Sequence, residues 1–204
     1  MKIRILRGGP CVTNCFIVKD DETKKAIIID PAFNPSRIIK ESADYEIEYI
    51  VITHAHIDHL MALDELKKAT DAKIVISSLE NPALNDANLN LSDLMKVPCV
   101  TSKADITVND GDTLPFANTN MKFILTPGHT PGSMCIFVND VIFSGDTLFN
   151  RTIGRCDLAG GCYENLIASI KEKLLVYADD TVVYPGHGPR TNIGIERREN
   201  PFLM

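Results

Sequence analysis

Thr53-His54-Ala55-His56-Ile57-Asp58-His59-Leu60 is the stretch on which the reading of this chain turns. It comes directly off a β-branched apolar run, Tyr49-Ile50-Val51-Ile52, and leads into Leu60 to Ala69, whose apolar spacing is helical. Four metal-capable side chains, His54, His56, Asp58 and His59, therefore fall in one strand-to-helix turn. With this chain's own frequencies of histidine and aspartate, His-x-His-x-Asp-His arises by chance at roughly 2 to 3 in ten thousand. The motif is thus a strong signal for a metal.

The two remaining histidines repeat the pattern of a donor placed just past a strand. His129 lies in Thr126-Pro127-Gly128-His129-Thr130-Pro131-Gly132, and His187 in Tyr184-Pro185-Gly186-His187-Gly188-Pro189. Proline fixes φ and glycine admits close backbone approach, so both loops suit the presentation of a side chain at a sheet rim. Asp146, in Phe143-Ser144-Gly145-Asp146-Thr147-Leu148-Phe149, also follows a strand. Five imidazoles and two carboxylates, with no thiolate, exceed what one four-coordinate ion uses. Such a donor count implies two metals.

Around these turns, the chain alternates strand and helix signals. Ile3 to Leu6, Cys15 to Val18, Ala26 to Ile29 and Lys73 to Ile76 read as strands in the first half, with a helix over Pro35 to Ser42 capped by Asn34. In the second half, Met121 to Leu125, Cys135 to Val138, Val141 to Phe143 and Thr181 to Tyr184 read as strands, and Asn139-Asp140 as a tight hairpin turn. Leu166, Ile167, Ile170 and Leu174 predict one long helix from about Tyr163 to Leu175. Asn81 to Val100 reads as a helical or irregular excursion. The expectation is an α/β domain, residues 1–204 as one unit.

Composition narrows the function classes. A net charge of −6, with 21 scattered cationic residues against 27 acidic ones, provides no general attraction to nucleic acid or anionic membrane. No run reaches the roughly 18 apolar residues of a membrane span, and the N-terminus has no signal-peptide pattern, so the expected location is the cytoplasm. The six cysteines form no Cys-x-x-Cys pair and read as reduced thiols, with Cys11 and Cys15 expected to be packing residues.

His-x-His-x-Asp-His, Gly-His-Thr-Pro-Gly, Gly-Asp-Thr-Leu-Phe and the late Pro-Gly-His, in this order, resemble the metallo-β-lactamase superfamily. Gly154-Arg155-Cys156-Asp157 and the Tyr184 to Pro189 stretch resemble its glyoxalase II-like branch, the hydroxyacylglutathione hydrolases. The resemblance implies an αββα sandwich with one metal on His54, His56 and His129, a second on Asp58, His59 and His187, and Asp146 bridging. It further implies a metal-bridging hydroxide, with Asp58 beside it, that attacks an acyl thioester such as S-lactoylglutathione. Two divalent ions are implied, zinc first, with iron or manganese also suited to such donors. Counting four metal charges against two carboxylates and one hydroxide leaves about +1, which favours an anionic small-molecule substrate.

The chain differs from the well-known glyoxalase II enzymes in two ways. Those enzymes carry a C-terminal helical domain with basic glutathione-binding residues, whereas this chain ends about 17 residues after His187. Where they place a lysine it has Arg155, a candidate for a substrate carboxylate. Where they place a tyrosine it has Asp157, so an Arg155–Asp157 salt bridge competes with that role. Asp30, at the end of a strand, is a candidate to orient a ligand imidazole, and Arg197 to Glu199 read as a solvated helix face. A second function, an iron-dependent oxidoreductase resembling the superfamily's persulfide dioxygenases, shares these ligand positions. A purely structural metal module does not need seven ligands.

Overall fold

The computed structural model describes residues 1–204. The first sheet contains β1 (Lys2–Gly8), β2 (Thr13–Asp20), β3 (Lys25–Ile29), β4 (Glu46–Val51), β5 (Lys73–Ser77) and β6 (Ile106–Val108), side by side in that order. β1 to β3 are antiparallel, and β3 to β6 run parallel. The crossovers carry α1 (Pro35–Ser42), α2 (Leu63–Thr70), α3 (Asn81–Leu84) and α4 (Ser92–Met95). Asn34 caps α1 by accepting from the Arg37 amide, and Pro35 occupies the first turn, as the sequence predicts.

The second sheet contains β7 (Thr113–Phe116), β8 (Thr119–Leu125), β9 (Met134–Val138) and β10 (Val141–Gly145). A small hairpin of β11 (Leu148–Phe149) and β12 (Thr152–Ile153) follows, then α5 (Tyr163–Ser169), β13 (Val182–Pro185), β14 (Thr191–Asn192) and α6 (Ile193–Glu199). The order is β14-β13-β10-β9-β8-β7, with only β10 and β13 parallel. Asn139 and Asp140 both take positive φ, which a two-residue turn between β9 and β10 requires.

Three apolar clusters show how the layers stack. Side chains alternate across a strand, so Phe16, Val18, Ile27, Ile29 and Val51 face Phe123, Ile136 and Phe143 of the other sheet. Their neighbours Cys15, Ile17, Ile28, Ile50 and Ile52 pack under α1 and α2 with Ile38, Leu63 and Leu66. On the far side, Ile124, Cys135, Ile142 and Val183 meet Leu166, Ile170 and Ile193. Helices thus cover both outer faces of two packed sheets, the expected αββα sandwich. Burial on both faces is why Ala26 to Ile29 of β3, Tyr49 to Val51 of β4 and all of β9 read as unbroken apolar runs.

Several expectations need correction. The helix expected over Tyr163 to Leu175 is α5 followed by a π turn over Ile170–Leu174, where the Leu175 amide bonds Ile170. Leu166, Ile170 and Leu174 face the sheet in either geometry, so apolar spacing does not distinguish them. The helix expected from Leu60 begins at Leu63, because Ile57–His59 form a 3₁₀ turn first. Residues Asn81 to Val100 contain the short α3 and α4. The strands β6 and β7 went unread: β6 has three residues, and Pro115 in β7 is tolerated only because that strand is an edge. Cys15 is buried as expected, but Cys11 is exposed.

Candidate metal centre

Each expected donor lies just past the C-terminal end of a strand, and all these ends share one edge of the sandwich. His54, His56, Asp58 and His59 follow β4, His129 follows β8, Asp146 follows β10 and His187 follows β13. Backbone bonds stitch the sheets together at this edge: Met134 N to Thr53 O at 2.9 Å and Asn14 N to Gly186 O at 2.7 Å. Donor atoms of His54, His56 and His129 gather within 4.8 Å of one another, as do those of Asp58, His59 and His187. His54 and His59 also gather with Asp146 in the same way. Asp146 Oδ1 lies 3.5 Å from His59 Nε2, while its Oδ2 lies 3.4 Å from His187 Nε2 and 3.6 Å from His129 Nε2. That places the carboxylate between the two groups.

The rings are aimed by partners that can only accept. His59 Nδ1 donates to Asp30 Oδ2 at 2.9 Å, His129 Nδ1 to the Arg155 carbonyl at 2.8 Å and His187 Nδ1 to the Cys11 carbonyl at 3.1 Å. Thr53 Oγ1 donates to Asp30 Oδ2 and accepts from His54 Nδ1 at 3.1 Å. Four rings thereby present the Nε2 lone pair to the site. His56 turns its Nδ1 inward instead, 3.0 Å from His129 Nε2. His54 Nε2, His59 Nε2 and Asp146 Oδ1 are buried with no hydrogen-bond partner. Buried polar atoms are seldom left so, and this convergence of unpaired imidazole and carboxylate donors fits divalent metal ions.

The electrostatics divide the two groups. Burial holds His54 and His56 well below the usual histidine range, His56 at about 3, with neighbouring imidazoles adding to the effect. Burial also opposes charge on His59 and His187, but Asp58 and Asp146 outweigh it, with Asp30 assisting at His59. These two stand at about 9 and about 11. For Asp58 and Asp146, burial would raise the carboxyls. His59 and His187 hold both below the carboxylate range, and Thr13 donates to Asp58 at 2.8 Å.

Arg155 contributes its carbonyl to the site. Its guanidinium is engaged at the surface by Asp157, at 2.7 and 2.8 Å, so the competing salt bridge is present. Asp30 orients His59 as anticipated and also binds Thr53. Sequence reasoning missed Thr13, Asn14 and Glu80. Asn14 Nδ2 donates to the carbonyls of Pro185 and Gly188, fixing the His187 loop, while Arg7 donates to Asn14 Oδ1 and Gly188 O. No local pattern marks these residues; Thr13 and Asn14 become visible only once β2 lies beside the last loop, and Glu80 only once the segment after β5 meets the Ala55 turn and the Thr130 loop.

Donors on four strand ends of an αββα sandwich define a metallo-hydrolase architecture. Residues 8–187 match the metallo-β-lactamase superfamily, and the chain belongs to it. It is 36% identical over 209 residues to the hydroxyacylglutathione hydrolase GloC of Haemophilus influenzae, covering 100% of this chain and 98% of that one. Among solved structures, BLEG-1, a B3 metallo-β-lactamase, superposes with a TM-score of 0.93 at 35% identity, over 99% of each chain. TTHA1623 in a di-iron-bound form gives 0.86 at 30%, over 98% and 100%. ETHE1 from Myxococcus xanthus gives 0.84 at 29%, over 98% of this chain and 84% of its own. In this chain no helix is long and apolar enough to cross a membrane.

Proposed function

We propose that this protein hydrolyses small anionic acyl thioesters, of which S-lactoylglutathione is the representative, at a two-metal centre. The observation that supports this most is Asp146 lying between two sets of three donors, with its Oδ1 buried and unpaired. His54, His56 and His129 would hold one ion, Asp58, His59 and His187 the other, and Asp146 both. Zinc suits this mixed imidazole and carboxylate set, and iron, as in the di-iron TTHA1623 structure, is the competing occupant. When bound, the ions supply Lewis acidity and bring a water's pKa toward neutrality.

The protein's own task is positioning. Asp30, Thr53 and the Arg155 and Cys11 carbonyls fix the rings, and Thr13 fixes the Asp58 carboxylate. The leaving thiolate comes from a thiol of pKa about 8.5, so no strong general acid is needed. An ester or β-lactam leaving group demands more help.

Turnover of S-lactoylglutathione measured beside a β-lactam and glutathione persulfide tests the assignment. Thioester cleavage is expected to dominate. Oxygen consumption with the persulfide and no thioester cleavage would establish the iron oxidoreductase reading instead.

The charge division gives a second expectation. Loading the Asp58/His59/His187 group displaces protons held with pKa values of about 9 and 11, whereas His54 and His56 are already neutral at pH 7. Below pH 9, uptake of one equivalent should weaken by about 10- to 100-fold per pH unit lowered, one or two protons being displaced. The other equivalent should change far less. Competition against a chelator at pH 6.5 and 8 measures both, and equal slopes would contradict the division.

A further inference from the structure

Glu80 is outside every ligand motif, yet its side chain is buried in the centre's supporting frame, with the residue only 3% exposed. It sits between β5 and α3, where Oε1 accepts from the Ala55 amide at 2.9 Å. Oε2 accepts from Thr130 Oγ1 at 2.9 Å and from the Gly132 amide at 3.0 Å. Ala55 lies between His54 and His56, and Thr130 follows His129. One carboxylate therefore ties together the two loops that carry all three donors of the first group. Glycine at 132 is required for this approach, since a Cβ there would fall 2.4 Å from the Glu80 amide nitrogen and 2.7 Å from Oε2.

The second group has different anchors. His187 is held by the Cys11 carbonyl and by Asn14 through its loop, and Asp58 by Thr13. His59 is held by Asp30, which reaches the first group only through Thr53. No bond runs from Glu80 to any of these.

We propose that Glu80 is the positioning residue of the first metal position, setting the span between the His54/His56 turn and the His129 loop, and with it the metal affinity of that position alone. This rests on the two-position reading above. Glutamine at 80 keeps the volume but turns an amide N–H₂ toward backbone or hydroxyl donors that need an acceptor. Partners that orient ligands typically change metal affinity by about 10- to 100-fold when lost.

The test is cobalt(II) binding against a competing chelator, with the visible d–d spectrum followed, in wild type, Glu80→Gln, Thr130→Val and Thr130→Ser. Glu80→Gln should weaken one equivalent by about 10- to 100-fold and alter its spectrum, leaving the other within about twofold. Thr130→Val should weaken the same equivalent less, and Thr130→Ser, which retains the hydroxyl, should behave as wild type. In a His187→Ala background Glu80→Gln should weaken the equivalent that remains; in a His129→Ala background it should not. Equal weakening of both equivalents, or of neither, overturns the proposal. Should Glu80→Gln fail to fold by near-ultraviolet circular dichroism, the two Thr130 variants decide by the same criteria. If the wild type takes up a single equivalent, the two-position reading fails separately, and Glu80 is judged on that equivalent.

Discussion

Asp146→Ala is expected to lower thioester turnover by more than about a thousandfold while leaving the fold intact. The carboxylate reaches both donor groups, 3.6 Å from His129 Nε2 of the first and 3.4 Å from His187 Nε2 of the second, so its loss removes the one anion common to them. The fold loses little, because Asp146 Oδ1 bonds nothing and the carboxylate is held ionised against the cost of burial. Without metal, the variant should melt within about 1 kcal/mol of the stripped wild type. Activity, metal content and thermal melting on one preparation check this, and a variant that retains turnover would remove Asp146 from the centre.

Gly186→Ala should be nearly as damaging, for a steric reason. A Cβ at 186 would lie 2.3 Å from Asp146 Oδ1 and 2.7 Å from His59 Cε1. The backbone cannot retreat easily, since the Gly186 amide bonds Gly145 O at 2.8 Å and its carbonyl accepts from Asn14 N at 2.7 Å. We expect loss of the metal held by His59 and of turnover, with a stability cost of about 1–3 kcal/mol from overpacking. Gly188→Ala is the control. Its φ is +73° but a Cβ there meets nothing within 4 Å, so it should cost about 1 kcal/mol of strain and retain the metal. Equal behaviour of the two variants in metal uptake would refute the steric account.

How much of this was legible in the sequence follows from where each interaction originates. The donors could be read because each belongs to a short local pattern, a strand followed by a turn rich in histidine, glycine or proline. The helix cap at Asn34 and the Asn139-Asp140 turn were readable for the same reason. Glu80 was not, because it acts on Ala55, 25 residues before it, and on Thr130, 50 residues after it; the parallel β4–β5 pairing brings the first segment beside it, and the second comes from the other sheet. Thr13 and Asn14 likewise reach Asp58 and Pro185 over separations of 45 and 171 residues. The π turn after α5 was hidden because its buried residues keep helical spacing. Arg155 illustrates a different limit. The motif marked the right place, but the sequence left open whether its guanidinium met Asp157 or a substrate, and gave no sign that its carbonyl would hold His129.

We propose that His54, His56, Asp58, His59, His129, Asp146 and His187 hold two ions in a hydrolytic centre. Stepwise metal removal and return, with S-lactoylglutathione turnover followed at each step, tests this. Two equivalents of divalent metal per chain are predicted, with turnover lost as they are withdrawn and recovered as zinc or iron is returned. Turnover that survives complete removal of metal would contradict the account.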